Sequence, residues 1–577
     1  MIVEDLQRKV TAVLEGIGVK TPEVDFEHPA DLAHGDYSTN VALVYAKELK
    51  MKPRELAEKI VHILHNSKFI IHELGQIEVA GAGFINFYLS PKFFAESVAE
   101  ILGKAENFGR NESRRGEKVM VEYTDPNPFK EFHIGHLMSN AVGESIARLF
   151  EFSGAKVVRA CWQGDVGLHV AKAVWGILKN NFQFSIFNFQ KDAIALLGQA
   201  YTTGARAYEA DEKAKKEIEE LNRKIFEKSD PEINKLYDEG RKISLAHFEE
   251  IYKKLGTKFD YYFFESQEGR EGEKIVTEFL KKGVFEKSEN AVIFRGEKFG
   301  LHTRVFITSQ GLPTYETKEL GLNKAKFAKE PDLSQSIIIT ANEQNDYFKV
   351  VLKAMEEIYP EIAKKTKHIS HGMMRFASGK MSSRTGNIIT GESLITAMEN
   401  LVMEKIKDRE LPTEEKQKIA EAVAVGAIKY SILRAGIGSD IIYDFEKSIS
   451  FEGDSGPYLE YTYARVRSVL RKANVKEGLA FLSLRKAKPS LGLSGGLVAE
   501  RLLYRFPEVV ERAAKEFEPH YVATYLIELS AAFNNFYARN KIIGSEEENY
   551  RLALTRAVSI ILKNGLYLLG IEAPERM

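Results

Sequence analysis

Two clusters of residues have types and spacings that can do chemistry. The first is Asn127-Pro128-Phe129-Lys130-Glu131-Phe132-His133-Ile134-Gly135-His136. His133 and His136 stand three apart, so at the start of a helix they share one face. Their ring N–H groups could then donate to phosphate oxygens as negative charge builds in a transition state. Gly135 removes a Cβ where an adenine ring could approach the backbone. The second cluster is Ser378-Gly379-Lys380-Met381-Ser382-Ser383-Arg384-Thr385-Gly386-Asn387. Lys380 offers a point charge, and Ser382 and Ser383 offer hydroxyls. Around Met381 the small residues make a loop able to close over a triphosphate and its leaving pyrophosphate. Alone, a His-x-x-His pair is more often structural, and a Lys-Met-Ser-Ser loop, whose bland alternative is an ordinary basic surface loop, is moderately specific. In this order, about 245 residues apart, the two are highly specific.

The elements around them make positioning plausible. Val119 to Tyr123 reads as a buried strand, followed by the Pro/Asn loop, a helix from about Gly135 to Phe152, and a strand over Lys156–Ala160. Strand, loop, helix, strand is a βαβ unit of a parallel sheet. Ligands of such sheets bind at the carboxyl ends of strands, above helix N-termini. Before this unit, residues 1–110 read as a small α+β domain, with helices after Asn40 and from Pro53 and strands over Ile77–Val79 and Phe84–Tyr88. A catalytic α/β domain is expected over 111–395, with a helical insertion at about 170–290. From about 396 to 577 the pattern is helical.

Composition narrows the function classes. In 577 residues, Lys+Arg is 81 and Asp+Glu is 82, which excludes a uniformly basic nucleic-acid coat. The charge is uneven, however. From Tyr458 onward about 18 basic residues face 13 acidic ones, with Arg465, Arg467, Arg471, Lys472, Lys476, Arg485, Lys486 and Lys488 opposed only by Glu477. Such a block attracts polyanions. The one cysteine, Cys161, excludes an intramolecular disulfide and a multi-cysteine zinc site. No apolar run of about 18 residues appears, so no membrane span is expected, and the cytoplasm is the expected location. Gly453-Asp454-Ser455-Gly456 looks like a serine-protease loop, but an aromatic, basic helical stretch follows it. Gly81-Ala82-Gly83 leads into a strand, so it is no dinucleotide fingerprint.

With both clusters in place, the chain resembles the class I aminoacyl-tRNA synthetases, and within them the arginyl-tRNA synthetases. The likeness covers essentially the whole chain. Its carriers are Val121-Glu122-Tyr123 through His136, Gln163-Gly164-Asp165-Val166-Gly167, Leu32-Ala33-His34-Gly35-Asp36-Tyr37, Gly81 through Asn86, Gly453 through Tyr461, and Asn564 to Met577. The resemblance implies a Rossmann-like parallel-sheet catalytic domain, a small α+β N-terminal domain that touches the tRNA elbow, and an all-α anticodon-binding domain.

It also implies a reaction. L-arginine and ATP with Mg2+ would form arginyl-adenylate, and the arginyl group would then pass to tRNA(Arg), with tRNA needed before the first step. A monomer is expected. By resemblance, Glu122, Asn127, Tyr315, Glu319 and Gln344 hold the arginine. Asn127, Pro128, His133, Gly135, His136, Gly164, Asp165, Lys380, Met381, Ser382 and Ser383 hold ATP. Lys130, His133, His136 and Lys380 are the catalytic candidates, and no resident metal is expected. Many family members carry Asp where Glu319 stands. Many also use one lysine where this chain has both Lys130 and Lys380. For tRNA, Asn86 (with Phe87 beside it), Tyr458, Tyr461, Arg465, Phe533, Asn534 and Tyr537 are expected contacts, because RNA loop bases stack on aromatics and pair with basic groups. The alternatives are another class I synthetase or a non-catalytic RNA-binding relative. A glutamyl pocket would want basic groups instead of Glu122 and Glu319, and a cysteinyl enzyme would want more thiols than Cys161.

Overall fold

The computed structural model describes residues 1–66, 74–180, 190–376, 390–474 and 496–577. Lys380, Met381, Ser382 and Ser383 lie outside the described residues, as do Lys476, Arg485, Lys486 and Lys488.

The N-terminal unit is a three-stranded antiparallel sheet of β1 (Tyr37–Thr39), β2 (Leu74–Ala80) and β3 (Phe84–Leu89), in the order β1-β3-β2. Gly81 and Gly83, with φ of 52° and 143°, make the turn between β2 and β3. Ile85, Phe87 and Leu89 point to one face and close a core with Leu6 and Val10 of helix Ile2–Gly16 and Leu56 and Ile60 of helix Pro53–Asn66. The expected elements of this unit are therefore present.

The catalytic unit is built on β4 (Lys118–Glu122), β5 (Lys156–Gln163) and β6 (Tyr261–Phe264). A separate antiparallel sheet follows, β7 (Glu286–Ser288), β8 (Ala291–Phe294) and β9 (Arg304–Ile307). The main sheet resumes with β10 (Gln335–Ala341) and β11 (Thr366–His371). Its order is β11-β10-β4-β5-β6, parallel throughout. Helix Ile134–Phe152 crosses from β4 to β5 and packs closely on β4, since a Cβ on Gly143 would lie 2.2 Å from the Tyr123 ring.

One sequence expectation is corrected here. The stretch from 170 to 290 is not only a helical insertion, because β6 is the edge strand of the main sheet. Four aromatic residues, Tyr261-Tyr262-Phe263-Phe264, form it. The run is too short to show a period, and the charged helices on either side hide it.

Eight helices, from Gly391–Ile406 to Glu548–Leu568, make up most of the described C-terminal part. They do not stand apart from the sheet. Val121, Leu137 and Phe150 share one apolar cluster with Ile428, Tyr463, Leu526 and Ile561. Ser145 in the crossing helix donates to Leu568 O at 2.8 Å, and Arg148 to Tyr567 O at 2.9 Å.

Candidate active site

The loop between β4 and its helix is held in an unusual backbone conformation. Thr124, Asp125 and Phe129 have φ of 83°, 48° and 68°. For a β-branched residue such as Thr124 this is strained, and it persists only because neighbours hold it. Ser139 accepts from Thr124 N at 3.0 Å and Asn140 donates to Thr124 Oγ1 at 2.9 Å. Trp162 N donates to Asp125 Oδ1 at 2.7 Å. From the helical insertion, Ser244 accepts from Phe129 N at 3.0 Å, and the Phe129 ring fills the space a Cβ on Gly240 would need. Helix Pro231–Lys254 therefore shapes the loop. Ser139, Asn140 and Ser244 escape a sequence reading because each is one polar residue on a mainly buried helix face.

The loop ends at His133, the N-cap of helix Ile134–Phe152. His133 N donates to His136 Nδ1 at 3.2 Å, and the two rings stack with centroids 3.4 Å apart. His133 is exposed while His136 is buried. The surrounding protein, and then the Lys130 charge, push His133 down to about 4. Burial, His133 and Lys130 also hold His136 well below its usual range. Both rings are thus neutral at pH 7, donors that can gain charge as a phosphate does. A Cβ on Gly135 would meet the His133 ring at 3.0 Å, so the glycine also makes room for that ring. His133 forms an antiparallel bridge with Thr390, and Gly391 N donates to Phe132 O at 2.7 Å. The chain following the Lys380 segment is thereby anchored on the histidine loop.

Lys130 is partly buried, with Nζ 5.1 Å from the centre of the Tyr201 ring, and burial lowers its pKa. Pro128 is buried in the loop. Asn127 lies over Gly164, since a Cβ there would sit 2.2 Å from Asn127 Oδ1 and 3.1 Å from Glu265 Oε1. Only glycine fits. His169 Nε2 donates to Gly164 O at 2.7 Å, and burial, helped by Lys130, pushes the imidazole down to about 3.

Asp165 departs from its expected place at ATP. It is fully buried, and its carboxylate accepts from Arg241 (2.8 Å), Tyr237 (3.2 Å), Ser266 N (2.9 Å) and Ser266 Oγ (2.8 Å). With both oxygens occupied by protein donors, it pins the turn to the insertion and to the helix that follows β6.

The amino-acid candidates come from three elements. Glu122 ends β4 and is 1% exposed. Helix Tyr315–Lys329 carries Tyr315 and Glu319, and Gln344 lies exposed just past β10. The Tyr315 ring is 55% exposed, and Tyr347 OH donates to its carbonyl at 3.1 Å, joining that helix to the Gln344 segment. Glu319 is buried and accepts from Asn323 Nδ2 at 2.8 Å. Burial, then the Glu122 charge, raise its carboxyl to about 7. Burial and Glu122 likewise hold Asp125 well above its usual range.

Sequence reading missed three charged neighbours. Glu265 follows β6 and pairs with Lys318 at 2.5 Å, and Lys326 pairs with Glu122 at 2.7 Å. Their signal was faint, because Glu265 belongs to the missed strand and both lysines look like surface residues of a charged helix. Acidic groups crowded beside a neutral histidine pair can take a cationic substrate at one end and polyphosphate at the other.

The model of "tRNA synthetases class I (R), catalytic domain" matches residues 97–445. The chain belongs to the class I arginyl-tRNA synthetase family. The family's N-terminal domain model matches residues 4–89, and a DALR anticodon binding domain matches 459–577. Among curated relatives, the arginine–tRNA ligase of Fusobacterium nucleatum is 33% identical over 94% of this chain and 93% of its own. That of Treponema denticola is 30% identical over 99% of both chains. Among solved structures, the arginyl-tRNA synthetase of Thermus thermophilus shares the fold, with a TM-score of 0.80, 23% identity and 100% of both chains covered. The Rossmann-like catalytic domain with α+β and helical companions is thus the family architecture.

In this synthetase the basic C-terminal region forms an open cleft of about 820 Å3 between helices Gly456–Lys472 and His520–Arg539. Arg409, Arg465, Arg471, Lys472, Lys541 and Arg576 line it. The Arg465 guanidinium lies 4.7 Å from the Tyr461 ring centre and 5.6 Å from that of Tyr537. Asn534 holds it, accepting from Arg465 Nη1 at 2.5 Å while donating to Tyr458 OH and Thr462 Oγ1 at 3.0 and 2.9 Å.

Two tRNA expectations are corrected. Phe533 is 0% exposed and belongs to the core. Asn86 is buried and accepts from Ser38 Oγ at 2.8 Å, and Phe87 beside it is also core. In both places, periodicity alone left open which side chains the packing would turn inward.

Proposed function

We propose a division of labour for the reaction of this family, the ATP-dependent attachment of L-arginine to tRNA(Arg) through arginyl-adenylate, with release of AMP and pyrophosphate. The observation that carries it is the buried carboxylate pair Glu122 and Glu319 next to a connection that ends in neutral His133 and His136 at a helix N-terminus. Glu122 and Glu319 take the guanidinium, a permanent cation with planar donors. Asn127, Tyr315 and Gln344 hold the rest of the amino acid. An analogue lacking the guanidinium donors leaves buried acceptors unpaired, which is the source of selectivity.

In the first step a carboxylate oxygen of arginine attacks the α-phosphorus of MgATP, and the bond from that phosphorus to the bridging oxygen breaks. Magnesium arrives with the triphosphate as part of the substrate. His133 and His136 donate to the phosphate oxygens, Gly135 leaves room for the nucleotide, Gly164 leaves room for Asn127, and Lys130 and Lys380 neutralise the departing pyrophosphate. Catalysis here is positioning and charge stabilisation. In the second step a ribose hydroxyl of the terminal adenosine attacks the carbonyl and AMP leaves. Tyr461, Arg465 and Tyr537 bind anticodon bases, with Tyr458 and Asn534 holding Arg465. The working unit we propose is a monomer.

The test is arginine-dependent exchange of pyrophosphate into ATP, with each amino acid and with and without tRNA(Arg). Exchange with arginine alone among the amino acids is expected, and its absence even with tRNA would overturn the reading.

A further inference from the structure

Lys326 is 0% exposed, and its ammonium sits 2.7 Å from Glu122 Oε2, itself on a side chain 1% exposed. Neither Lys326 Nζ nor Glu122 Oε2 has a hydrogen-bonded partner, so charge alone joins them. A lysine buried for structural reasons looks different. Lys429 is also buried, but it donates to Leu255 O at 2.6 Å and Gly570 O at 2.7 Å, satisfying carbonyls of two distant segments. Lys326 ties no such segments together, and its partner is a pocket carboxylate.

Its place in the helix points the same way. Tyr315, Glu319, Asn323 and Lys326 follow one another at intervals of four, four and three, which is one face of helix Tyr315–Lys329. Tyr315 is at the open end and Lys326 at the closed end. Three carboxyls meet there: Glu122, Asp125 and Glu319. The Glu122 charge suppresses ionisation of Asp125 and Glu319, and Lys326 is the cation acting against this at both. Glu265 adds to the repulsion at Glu319, while Cys161 and Tyr347 are the other titratable groups facing the cluster.

We propose that Lys326 is a positioning residue for arginine recognition: held against one oxygen of Glu122, it fixes that carboxylate in place, offsets the negative charge of the carboxyl cluster and leaves the other oxygen to the substrate's guanidinium. The inference rests on the reading of Glu122 and Glu319 as the guanidinium site. It gives the pocket a fixed internal cation, so that a cluster of carboxylates accepts one substrate cation without first giving up several protons.

The experiment compares wild type, Lys326→Met and Lys326→Arg by pyrophosphate exchange with saturating tRNA, from pH 6 to 9. Lys326→Met should raise the arginine KM at pH 7 by about tenfold or more, since each unit by which the carboxyls' titration rises removes a factor of ten of the ionised form. The midpoint of arginine KM against pH should move up by about one unit, with the ATP KM within about threefold. Lys326→Arg should restore both KM and midpoint. If Lys326→Met does not fold, Lys326→Gln, which keeps a polar amide at the site without a charge, carries the same expectation. A folded Met or Gln variant with wild-type arginine KM and midpoint would overturn the proposal. So would arginine and ATP KM rising together with the midpoint unmoved, the mark of a structural role. Absence of arginine-dependent exchange in the wild type would instead overturn the underlying function.

Discussion

The proposed arginine site and the C-terminal cleft both handle charge, in opposite ways. The pocket buries Glu122, Glu319 and Lys326 almost completely and spaces them by packing. The cleft leaves six cations around an open cavity and holds Arg465 between the rings of Tyr461 and Tyr537. In the pocket, low dielectric makes each charge count heavily, so a single group decides binding. In the cleft, water and salt screen each charge, so many weak contacts share the work. A small substrate needs the first arrangement. A large polyanion that must be released each cycle suits the second.

If the contrast holds, the largest effects belong to the enclosed site. His133→Ala should slow adenylate formation by about 10²- to 10³-fold, the usual loss on removing one transition-state donor. Single-turnover kinetics at saturating arginine and ATP would measure it, and a loss below tenfold would remove His133 from the chemistry.

Glu319→Gln comes next. Losing one charge-assisted contact should raise the arginine KM by about 10- to 100-fold with little change for ATP. Glu319 also gives the wild type a pH signature. Its carboxyl is raised to about 7 in the empty pocket, so arginine must displace a proton below that pH. Arginine affinity should therefore fall as pH drops through 7 and level off above it. A flat profile would assign the guanidinium to Glu122 alone.

Arg465→Ala tests the open region. It should raise the tRNA KM by about fivefold and make its salt dependence shallower by about one unit of log-log slope. Exchange at saturating tRNA should stay near wild type. A salt-independent defect would mean that Arg465 is structural, holding Asn534 and Tyr458.

The smallest effect lies beneath the cleft. Glu460 is fully buried on helix Gly456–Lys472, and neither carboxyl oxygen has a partner. Burial, and then Glu572, hold its carboxyl well above the usual range. A folded-state pKa above the unfolded one means stability is lost as pH rises past the unfolded value. Glu460→Gln should raise the melting temperature at pH 8 by about 2–4 °C and lessen its fall with pH. An unchanged melting curve would show Glu460 to be relieved in solution.

One helix joins the histidine pair to the C-terminal helices. Ile134–Phe152 begins at the histidine pair, and its far half bonds to Tyr567 and Leu568 at the end of the last C-terminal helix.

Much of this was legible in residue order. The strand ending at Glu122, the glycine-bearing loop and the helix from His133 follow from a period of two giving way to one of 3.6, with Pro and Asn between them. The basic segment from Arg465 was equally plain. What the sequence could not supply was which polar groups the packing would occupy. Asp165 reads as a ligand residue, yet Arg241, Tyr237 and Ser266 claim its oxygens. Phe533 and Asn86 read as contact residues, yet both turn inward. Lys326 is one lysine among several on a charged helix, yet it is fully buried against Glu122. Burial and ionisation belong to neighbours that are distant in the chain. Residue types and spacing therefore determined the chemistry available to this protein, while the tertiary structure decided which groups remain free, and charged, to perform it.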